Sequence, residues 1–172
     1  MIKHGYSRRG KVHSLYKIWG DMINRCHNQN NKSYLNYGGR GISVCVEWRN
    51  SPVAFIEWAK NSGWRKGLSL DRRNNDDSYQ PKNCRFVSHS ISCINQRKRK
   101  DNTSGLRGVH FHKGKKKNRT RDKWDATVQY EKRRTHIGSF DDPIIAAIAR
   151  DNFIKENDLP HKLNFKDTGA TD

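Results

Sequence analysis

The pattern of residues 67–100 constrains the fold more than any other part of the sequence. Residues 68–70 are a brief apolar stretch, residues 72–83 are almost wholly polar, and residues 84–87 are a second short stretch with strand character. Residues 88–100 contain neither Gly nor Pro and can therefore continue as a helix. The order strand, long polar loop, strand, helix predicts a ββα unit.

Apolar spacing predicts two helices ahead of this unit. Over residues 15–26 the apolar side chains recur at i, i+3, i+4 and i+7, which is the spacing of an amphipathic helix. Further on, Ser51 followed by Pro52 is a typical N-cap and first helical residue, and Gly63 can end the helix that they begin. The first half of the chain is therefore expected to be α+β.

Weaker local signals account for the remaining segments of this half. The glycine-rich residues 37–41 predict a tight turn, and the alternation of Ile42, Val44 and Val46 predicts a short strand after it. Residues 1–12 are basic and have no apolar period, so we expect a flexible arm there.

The second half of the chain predicts a small antiparallel sheet with one helix. Its three segments with strand character are residues 106–112, 124–130 and 135–140, separated by a basic loop at 113–122 and a tight turn near 131–133. Asp142 and Pro143 then form an N-cap and first residue for a last helix. The apolar positions of that helix are Ile144, Ile145, Ala147, Ile148, Phe153 and Ile154.

These segments predict two domains. The first covers residues 13–100 and the second covers residues 106–165, and the sequence DNTSG at 101–105 is the expected linker between them. Residues 166–172 are expected to form a disordered tail.

The charge of the chain restricts its partners. Lys and Arg outnumber Asp and Glu by 35 to 17, which gives a net charge of +18, and such a chain is attracted to polyanions, nucleic acid first among them. An anionic membrane is a poor candidate, because the sequence has no apolar run of about 18 residues, no signal-peptide core and no strongly amphipathic basic helix. We therefore expect a cytoplasmic protein.

The four cysteines do not suggest a disulfide framework. Cys26, Cys45, Cys84 and Cys93 lack the CxxC spacing of a zinc ribbon, and the chain shows no export signal. Buried, reduced thiols are the expected state. A dispersed structural zinc site that uses some of them with His27 is the alternative.

Oxygen-bearing side chains in the ββα segment suggest a site for one divalent ion. Asp71 ends the first predicted strand, while Ser92, Asn95 and Gln96 lie about one turn apart on one face of the predicted helix. A strand-end carboxylate and a ligand on a facing helix can together hold an ion that stabilises the charge developed in phosphodiester hydrolysis. Hard oxygen ligands favour Mg²⁺ or Mn²⁺.

The motifs around Asp71 resemble those of the HNH homing-endonuclease family of phages and mobile introns. The resemblance extends from about residue 13 to residue 97, and it rests on YGGRGI at 37–42, LDR at 70–72 and YQPKNCRFV at 79–87. It implies a ββα-metal nuclease unit with a metal ligand at Asp71, a second ligand at Ser92 on the helix, and a structural Asn83 that braces the loop.

Two residues depart from the family pattern. Many HNH enzymes place the general-base His directly after the Asp, whereas this chain has Arg72, which cannot accept a proton and is expected to hold a phosphate instead. Ser92 stands where Asn, Gln or His is usual, so Asn95 or Gln96 can share the metal, or water can bridge to it. The candidates for the general base stay open; they are His89, Tyr37 and His27.

The second half of the chain resembles the APETALA-type DNA-binding domain, known from plant ethylene-response factors and often fused to phage HNH nucleases. The matching segments are 104–114, 123–130 and 133–140. The resemblance covers residues 104–165 and implies a three-stranded antiparallel sheet that packs on one helix and lays its other face in the DNA major groove. Alternation agrees, since it separates Val109 and Phe111 from His110 and His112.

The resemblances and the distribution of charge together give a set of expected DNA contacts. For Trp124, packing in the core is the alternative to a DNA contact, and Lys115–Lys117 would meet only the phosphate backbone. The expected contacts are Arg40, Arg97, Lys98, Arg99, Lys100, Arg107, His110, His112, Lys113, Trp124, Thr127, Gln129, Arg133 and Arg134.

The combined expectation is a site-specific endonuclease that acts on double-stranded DNA with one divalent ion per active site, either as a monomer or as a dimer on DNA. A catalytically inactive DNA-binding regulator is the main alternative. In that case Arg72 and Ser92 reflect the loss of an earlier nuclease activity. The charge is also compatible with a basic RNA-binding protein, but the ordered motifs do not support that hypothesis.

Overall fold

The computed structural model describes residues 7–8, 11–114 and 121–165, with side chains from residue 13 onward. The chain is α+β, with helices and small antiparallel sheets, so the predicted fold class is confirmed at this level. It divides into two compact units, residues 1–92 and 93–172. The predicted tail at 166–172 lies outside the described residues.

The first unit begins with a short antiparallel pair where the sequence suggested a flexible arm. β1 (Ser7–Arg8) pairs with β2 (Lys11–Val12). The predicted helices follow as α1 (Ser14–His27) and α3 (Pro52–Asn61). Ser51 caps α3 as predicted, because its side chain accepts a hydrogen bond of 3.2 Å from the backbone N–H of Ala54.

The predicted strand at residues 42–46 is wrong. Val44 makes a single parallel bridge to Tyr79, and Val46 already begins a short helix, α2 (Val46–Asn50). The alternation has another cause, since Ile42 and Val44 are buried in the core while Val46 is exposed on the helix. The predicted turn at 37–41 contains a 3-10 helix, Gly38–Arg40, and ends at Gly41 with a φ of 83°.

Aromatic side chains fill the core of the first unit. Trp48 is fully buried and contacts Phe55 edge-on, with ring centroids 5.2 Å apart, and Trp58, with centroids 4.5 Å apart. Trp58 in turn lies 5.6 Å from Phe86. The indole N–H of Trp19 on α1 donates to the Trp48 carbonyl at 2.6 Å. These contacts tie the helices to the strand that contains Phe86.

The ββ hairpin follows this helical part of the unit. β3 (Ser69–Arg72) pairs with β4 (Cys84–Val87) in an antiparallel register that sets Asp71 opposite Arg85. The helix after β4 is shorter than predicted, because α4 covers only His89–Ile94.

The second unit is a three-stranded antiparallel sheet with a helix on one face. The strand order is β5 (Val109–His112), β6 (Lys123–Tyr130), β7 (Arg133–Phe140), and the helix is α5 (Pro143–Glu156). The core between sheet and helix contains Val109, Ala126, Ala146 and Ala147. The tight turn at Glu131 and Lys132 is confirmed, with φ of 46° and 68°, and Asp142 caps α5 as predicted.

The structure of this unit differs from the sequence expectations in three places. The first strand begins at Val109 and not at 106, because residues 104–108 form a turn in which the Ser104 hydroxyl donates to the carbonyl of Val109 at 2.8 Å. The predicted linker residues Asn102 and Ser104 are thereby hydrogen-bonded into the second unit. On α5, three of the predicted apolar core positions are exposed; these are Ile144, Ile145 and Ile148.

A buried ion pair joins α5 to the chain that follows it. Arg150 and Asp151 are 5% and 6% exposed and form a salt bridge of 2.9 Å. The Asp151 carboxylate also accepts from the backbone N–H groups of Asn164, at 2.6 Å, and Phe165, at 3.0 Å. The Asn164 side chain then bonds the backbone N–H and carbonyl of Arg107. This network fixes residues 164–165 beside the start of the sheet.

Candidate functional site

Asp71 is a buried carboxylate held in place on the hairpin. It lies on β3, is 6% exposed and accepts a hydrogen bond of 2.9 Å from Nε of Arg85, its partner on β4. The Arg85 side chain is 32% exposed, so the ion pair lies at the edge of the buried region. Arg85 therefore orients the Asp71 carboxylate. Sequence reasoning missed this role, because only the strand register brings the two residues together.

Asn83 braces the polar loop between the strands. Its side-chain oxygen accepts from the backbone N–H of Asn74 at 2.9 Å, and its amide donates to the carbonyls of Asn74 and Ser78 at 3.0 Å each. The Asn83 backbone carbonyl accepts from the N–H of Arg73 at 2.8 Å. A buried amide that satisfies this many loop groups holds the segment after Asp71 in one conformation.

Arg72 belongs to a cluster of two arginines and two tyrosines. Its guanidinium lies 5.3 Å from the Tyr37 ring and 4.8 Å from the Tyr79 ring, and it donates to the carbonyl of Asp77 at 2.6 Å. Arg25 of α1 lies 4.8 and 4.9 Å from the same two rings. Arg72 is buried, and these contacts are structural. Its expected role in holding a phosphate stays a prediction.

The tyrosines connect the turn at 37–41 to the hairpin. Tyr37 and Tyr79 stack with an interplanar angle of 19° and centroids 6.4 Å apart. Burial raises the pKa of Tyr79 above its ordinary range, although the charges of Arg25 and Arg72 act in the opposite direction. Tyr79 therefore stays a neutral phenol, and its contribution is to packing.

Gly38 allows the turn to approach α1. A Cβ atom at this position would lie inside the van der Waals radius of the Cys26 carbonyl oxygen and of the Tyr34 ring. Because the carbonyl belongs to the backbone at the end of α1, it cannot rotate away. Gly38 thus sets the distance between α1, with Arg25, and the turn, with Tyr37.

Replacing Gly38 with Ala should destabilise the first unit by about 1–3 kcal/mol, the usual cost of overpacking a filled site. Urea denaturation of the full chain measures this change. Gly20→Ala is the matched control, since nothing lies within 4 Å of a Cβ at that helical position, and removal of a helical Gly should raise stability by about 0.5–1 kcal/mol. Equal midpoints for the two variants would show that the turn does not need the close approach.

The structure places only one of the predicted helix-borne metal ligands on the helix. Asp71 is on β3, Ser92 is half-buried on α4, and Asn95 is buried one residue beyond the end of α4, in the second unit. The prediction that Ser92, Asn95 and Gln96 share one helical face is therefore wrong. Within residues 13–114 and 121–165, no group of three or more His, Cys, Asp or Glu side chains could hold a metal ion.

The expected donor set is of a different kind, with one carboxylate and otherwise neutral oxygens. A single fixed carboxylate with hydroxyl or amide oxygens suits Mg²⁺ or Mn²⁺, which keep several water ligands and need few from protein. Asp71, oriented by Arg85, fits such an ion. The hairpin brings Asp71, Arg72 and Asn83 together, and it does so without a residue that could serve as the base.

The three candidates for the general base differ in their surroundings. His89 is exposed at the first residue of α4, and Tyr37 is half-buried in its stack. Partial burial and the charge of Arg49 lower the pKa of His27, which is exposed at the end of α1. A lowered pKa favours the neutral imidazole, which is the state that a proton acceptor requires.

The cysteines are free thiols in contrasting settings. Cys26 and Cys84 are buried, Cys45 is half-buried, and Cys93 is exposed, so the expectation of buried thiols fails for Cys93. Burial raises the pKa of Cys84 to about 12 and raises the pKa values of Cys26 and Cys45 as well. These three are protonated at pH 7 and are therefore not nucleophiles.

In the second unit, the strand register sorts the expected DNA contacts onto two faces. By strand register, Trp124 and Arg133 lie on the same face of the sheet as Ala126 and Val128, which face α5. Trp124 packs against the core on that face. Phe111, expected on the helix side, is half-exposed and contacts Trp124 at 5.1 Å. On the opposite, open face, His110, His112, Gln129 and Arg134 are exposed. Thr127 shares this face but is only 8% exposed, so its expected DNA contact is not supported.

A hydrogen-bonded cluster that sequence reasoning missed lies on this open face. Asp125 of β6 accepts from the His112 ring at 3.1 Å and from the Ser139 hydroxyl at 2.5 Å. His136 lies next to it, with Nε2 3.5 Å from the Ser139 oxygen. Alternation alone could have placed Asp125 on the face of His110 and His112. Its pairing with Ser139 needed the structure, because a β-bulge between Ala126 and Thr127 shifts the register after the turn.

The other expected contacts are mostly exposed cations. Arg40 forms a salt bridge with Asp76 and donates to the carbonyl of Asn36. Arg107 donates to the carbonyl of Gln96 at 2.9 Å. Arg97, Lys100 and Lys113 are exposed, while Lys98 and Arg99 bond to Gly105 and Asp101. Lys115–Lys117 lie outside the described residues.

No protein-family model, curated protein or solved structure matches this chain. Among the described residues, no helix is long and apolar enough to cross a membrane. The functional interpretation therefore rests on the residues and their geometry.

Proposed function

We propose that the chain is a metal-dependent DNA endonuclease of the HNH type, with a ββα-metal catalytic unit and an APETALA-type sheet that recognises DNA. The observation that supports this most is the buried Asp71 carboxylate, which Arg85 orients on a hairpin whose loop Asn83 braces. A carboxylate that an arginine fixes at the edge of the buried region is suited to hold a divalent ion beside a phosphodiester.

In this proposal each residue of the hairpin has a limited task. Asp71 supplies the fixed carboxylate, with Ser92 as a neutral oxygen donor; Arg85 positions Asp71, and Asn83 holds the loop. A bound Mg²⁺ or Mn²⁺ would stabilise the charge that develops on the phosphate and the leaving oxygen. His27, His89 and Tyr37 are the candidates for the acceptor of the proton from the attacking water.

The net charge of +18 supports DNA as the substrate. Exposed cations attract the phosphate backbone irrespective of sequence, whereas the open face of the second unit offers donors and acceptors that can contact base edges. Both are needed for cutting at chosen sites. The proposal therefore assigns non-specific attraction to the basic segments and site selection to the sheet.

Incubation of the purified chain with supercoiled plasmids that contain bacterial and phage DNA tests the proposal. With Mg²⁺ or Mn²⁺ we expect nicked circles to appear before linear molecules, because one chain has one active site and each strand needs its own cut. With a chelator the plasmids should stay supercoiled but still bind. Mapping the product ends then locates the site.

The second candidate function is a DNA-binding regulator without nuclease activity. The structural role of Arg72, whose guanidinium is buried between tyrosines, favours it, because that group is then committed to packing. In the same assay this candidate predicts salt-sensitive binding with every metal tested and no strand breakage. The plasmid result separates the two functions directly.

A further inference from the structure

Asp125 is an unusual residue for a surface that meets DNA. Among the described strand positions on the open face, it is the only acidic residue, and its neighbours there include His110, His112 and Lys123. A carboxylate next to a phosphate backbone lowers affinity through repulsion. Because Asp125 lies on the central strand of the sheet, we expect it to have either a role in recognition or a structural role.

The surrounding residues hold Asp125 in one orientation. Ser139 bonds Oδ1 at 2.5 Å and His112 bonds Oδ2 at 3.1 Å, so both oxygens are fixed from the two neighbouring strands. The side chain is still 21% exposed, and His112 beside it is 57% exposed. Each carboxylate oxygen has a second lone pair that can accept a hydrogen bond from a partner above the face.

Asp125 is also held in its charged form. Burial raises the pKa of its carboxyl, but the hydrogen bonds from Ser139 and His112 and the charges of His112 and His136 outweigh that effect, and the pKa lies below its ordinary value. At neutral pH the group accepts hydrogen bonds and cannot donate. It attracts amino groups and repels the carbonyl oxygens of guanine and thymine.

We propose that Asp125 determines sequence specificity by accepting a hydrogen bond from the exocyclic amino group of a cytosine in the major groove. Cytosine presents only a donor on that edge, whereas adenine places the N7 acceptor beside its amino group, where it would repel a carboxylate. Ser139 and His112 are the positioning residues of this contact. The inference rests on the proposed function, namely on the open face of the sheet meeting duplex DNA.

Selection of binding sites from a random duplex library tests the inference. The full chain and its Asp125→Asn variant are each selected in chelator, at near-neutral pH and fixed salt, so that bound DNA is not cut. We expect one position of the wild-type motif to favour cytosine by at least about tenfold, the usual discrimination of a good base contact. In the variant that position should change to adenine, which an amide contacts at N6 and N7, and the others should stay the same.

Two further variants separate recognition from structure. Asp141→Asn removes a carboxylate that is paired with Lys123 at the end of the sheet, and it should leave the cytosine preference intact. Ser139→Ala should weaken the cytosine preference without changing the preferred base, because Asp125 loses one of the two hydrogen bonds that fix its carboxylate. Thermal unfolding curves show whether each variant is folded at the selection temperature.

Two results would overturn the inference, and they differ in what they say about the proposed function. An Asp125→Asn chain that is folded and selects the wild-type motif unchanged would show that Asp125 only braces the sheet. A wild-type chain that binds duplex DNA and enriches no motif would refute site recognition by the proposed function, and the inference with it. Cleavage in the plasmid assay does not depend on either result.

Discussion

Replacing Asp71 with Asn should lower metal-dependent DNA cleavage by about 10²–10³-fold or more, the loss typical of removing a group that stabilises transition-state charge. The amide has the shape of the carboxylate and can still accept the hydrogen bond from Arg85. It lacks the negative charge that a divalent ion requires. Binding to DNA in chelator should therefore stay within about threefold of the wild type, since the contacts with the backbone are elsewhere.

Controls for this variant must separate chemistry from folding. Asp21→Asn removes an exposed carboxylate on α1 and should leave the cleavage rate unchanged. Arg85→Gln should lower the rate less than Asp71→Asn does, because it loosens the carboxylate without removing it. Initial rates of plasmid nicking with Mg²⁺ and with Mn²⁺, together with thermal unfolding curves, measure all three. A full cleavage rate in a folded Asp71→Asn chain would refute the assignment of the site.

The periodic elements of this fold could be predicted from the sequence because local rules determine them. Apolar spacing predicted α1, and the pairs Ser51–Pro52 and Asp142–Pro143 predicted the starts of α3 and α5. The errors occurred where tertiary packing produces the same pattern for another reason. Ile42 and Val44 alternate because both are buried in a core of helices, and no strand is needed to bury them.

The candidate site was less predictable than the fold, because its geometry depends on strand register and tertiary contacts. Asp71 and Asn83 were evident as residues, but Arg85 acquires its role only from facing Asp71 across the hairpin. The position of Arg72 beside Tyr37 and Tyr79 likewise depends on residues far apart in sequence. The sequence alone could not show that Trp124 packs on the helix side of the sheet, away from the expected DNA contacts on the open face.

The second unit contains a buried ion pair, and its removal is the second change with a large expected effect. Replacing Asp151 with Ala should destabilise that unit by about 3–5 kcal/mol, the usual cost of leaving one partner of a buried ion pair alone. Arg150 would lose its carboxylate at 5% exposure, and the backbone N–H groups of Asn164 and Phe165 would lose their acceptor. Burial already lowers the pKa of Arg150 despite its pairing with Asp151, which shows how poorly solvated this guanidinium is.

Denaturant titration of the full chain, followed by hydrogen exchange in each unit, measures this loss. Arg150→Met is the matched comparison. It should cost less than Asp151→Ala, because the Asp151 carboxylate would keep its two backbone donors at residues 164 and 165. We expect the Asp151→Ala chain to lose sequence-specific binding while exchange protection in residues 13–92 is retained. If Arg150→Met were the more damaging change, the guanidinium would be the main support of this segment, and the hydrogen bonds to the backbone would contribute little to its stability.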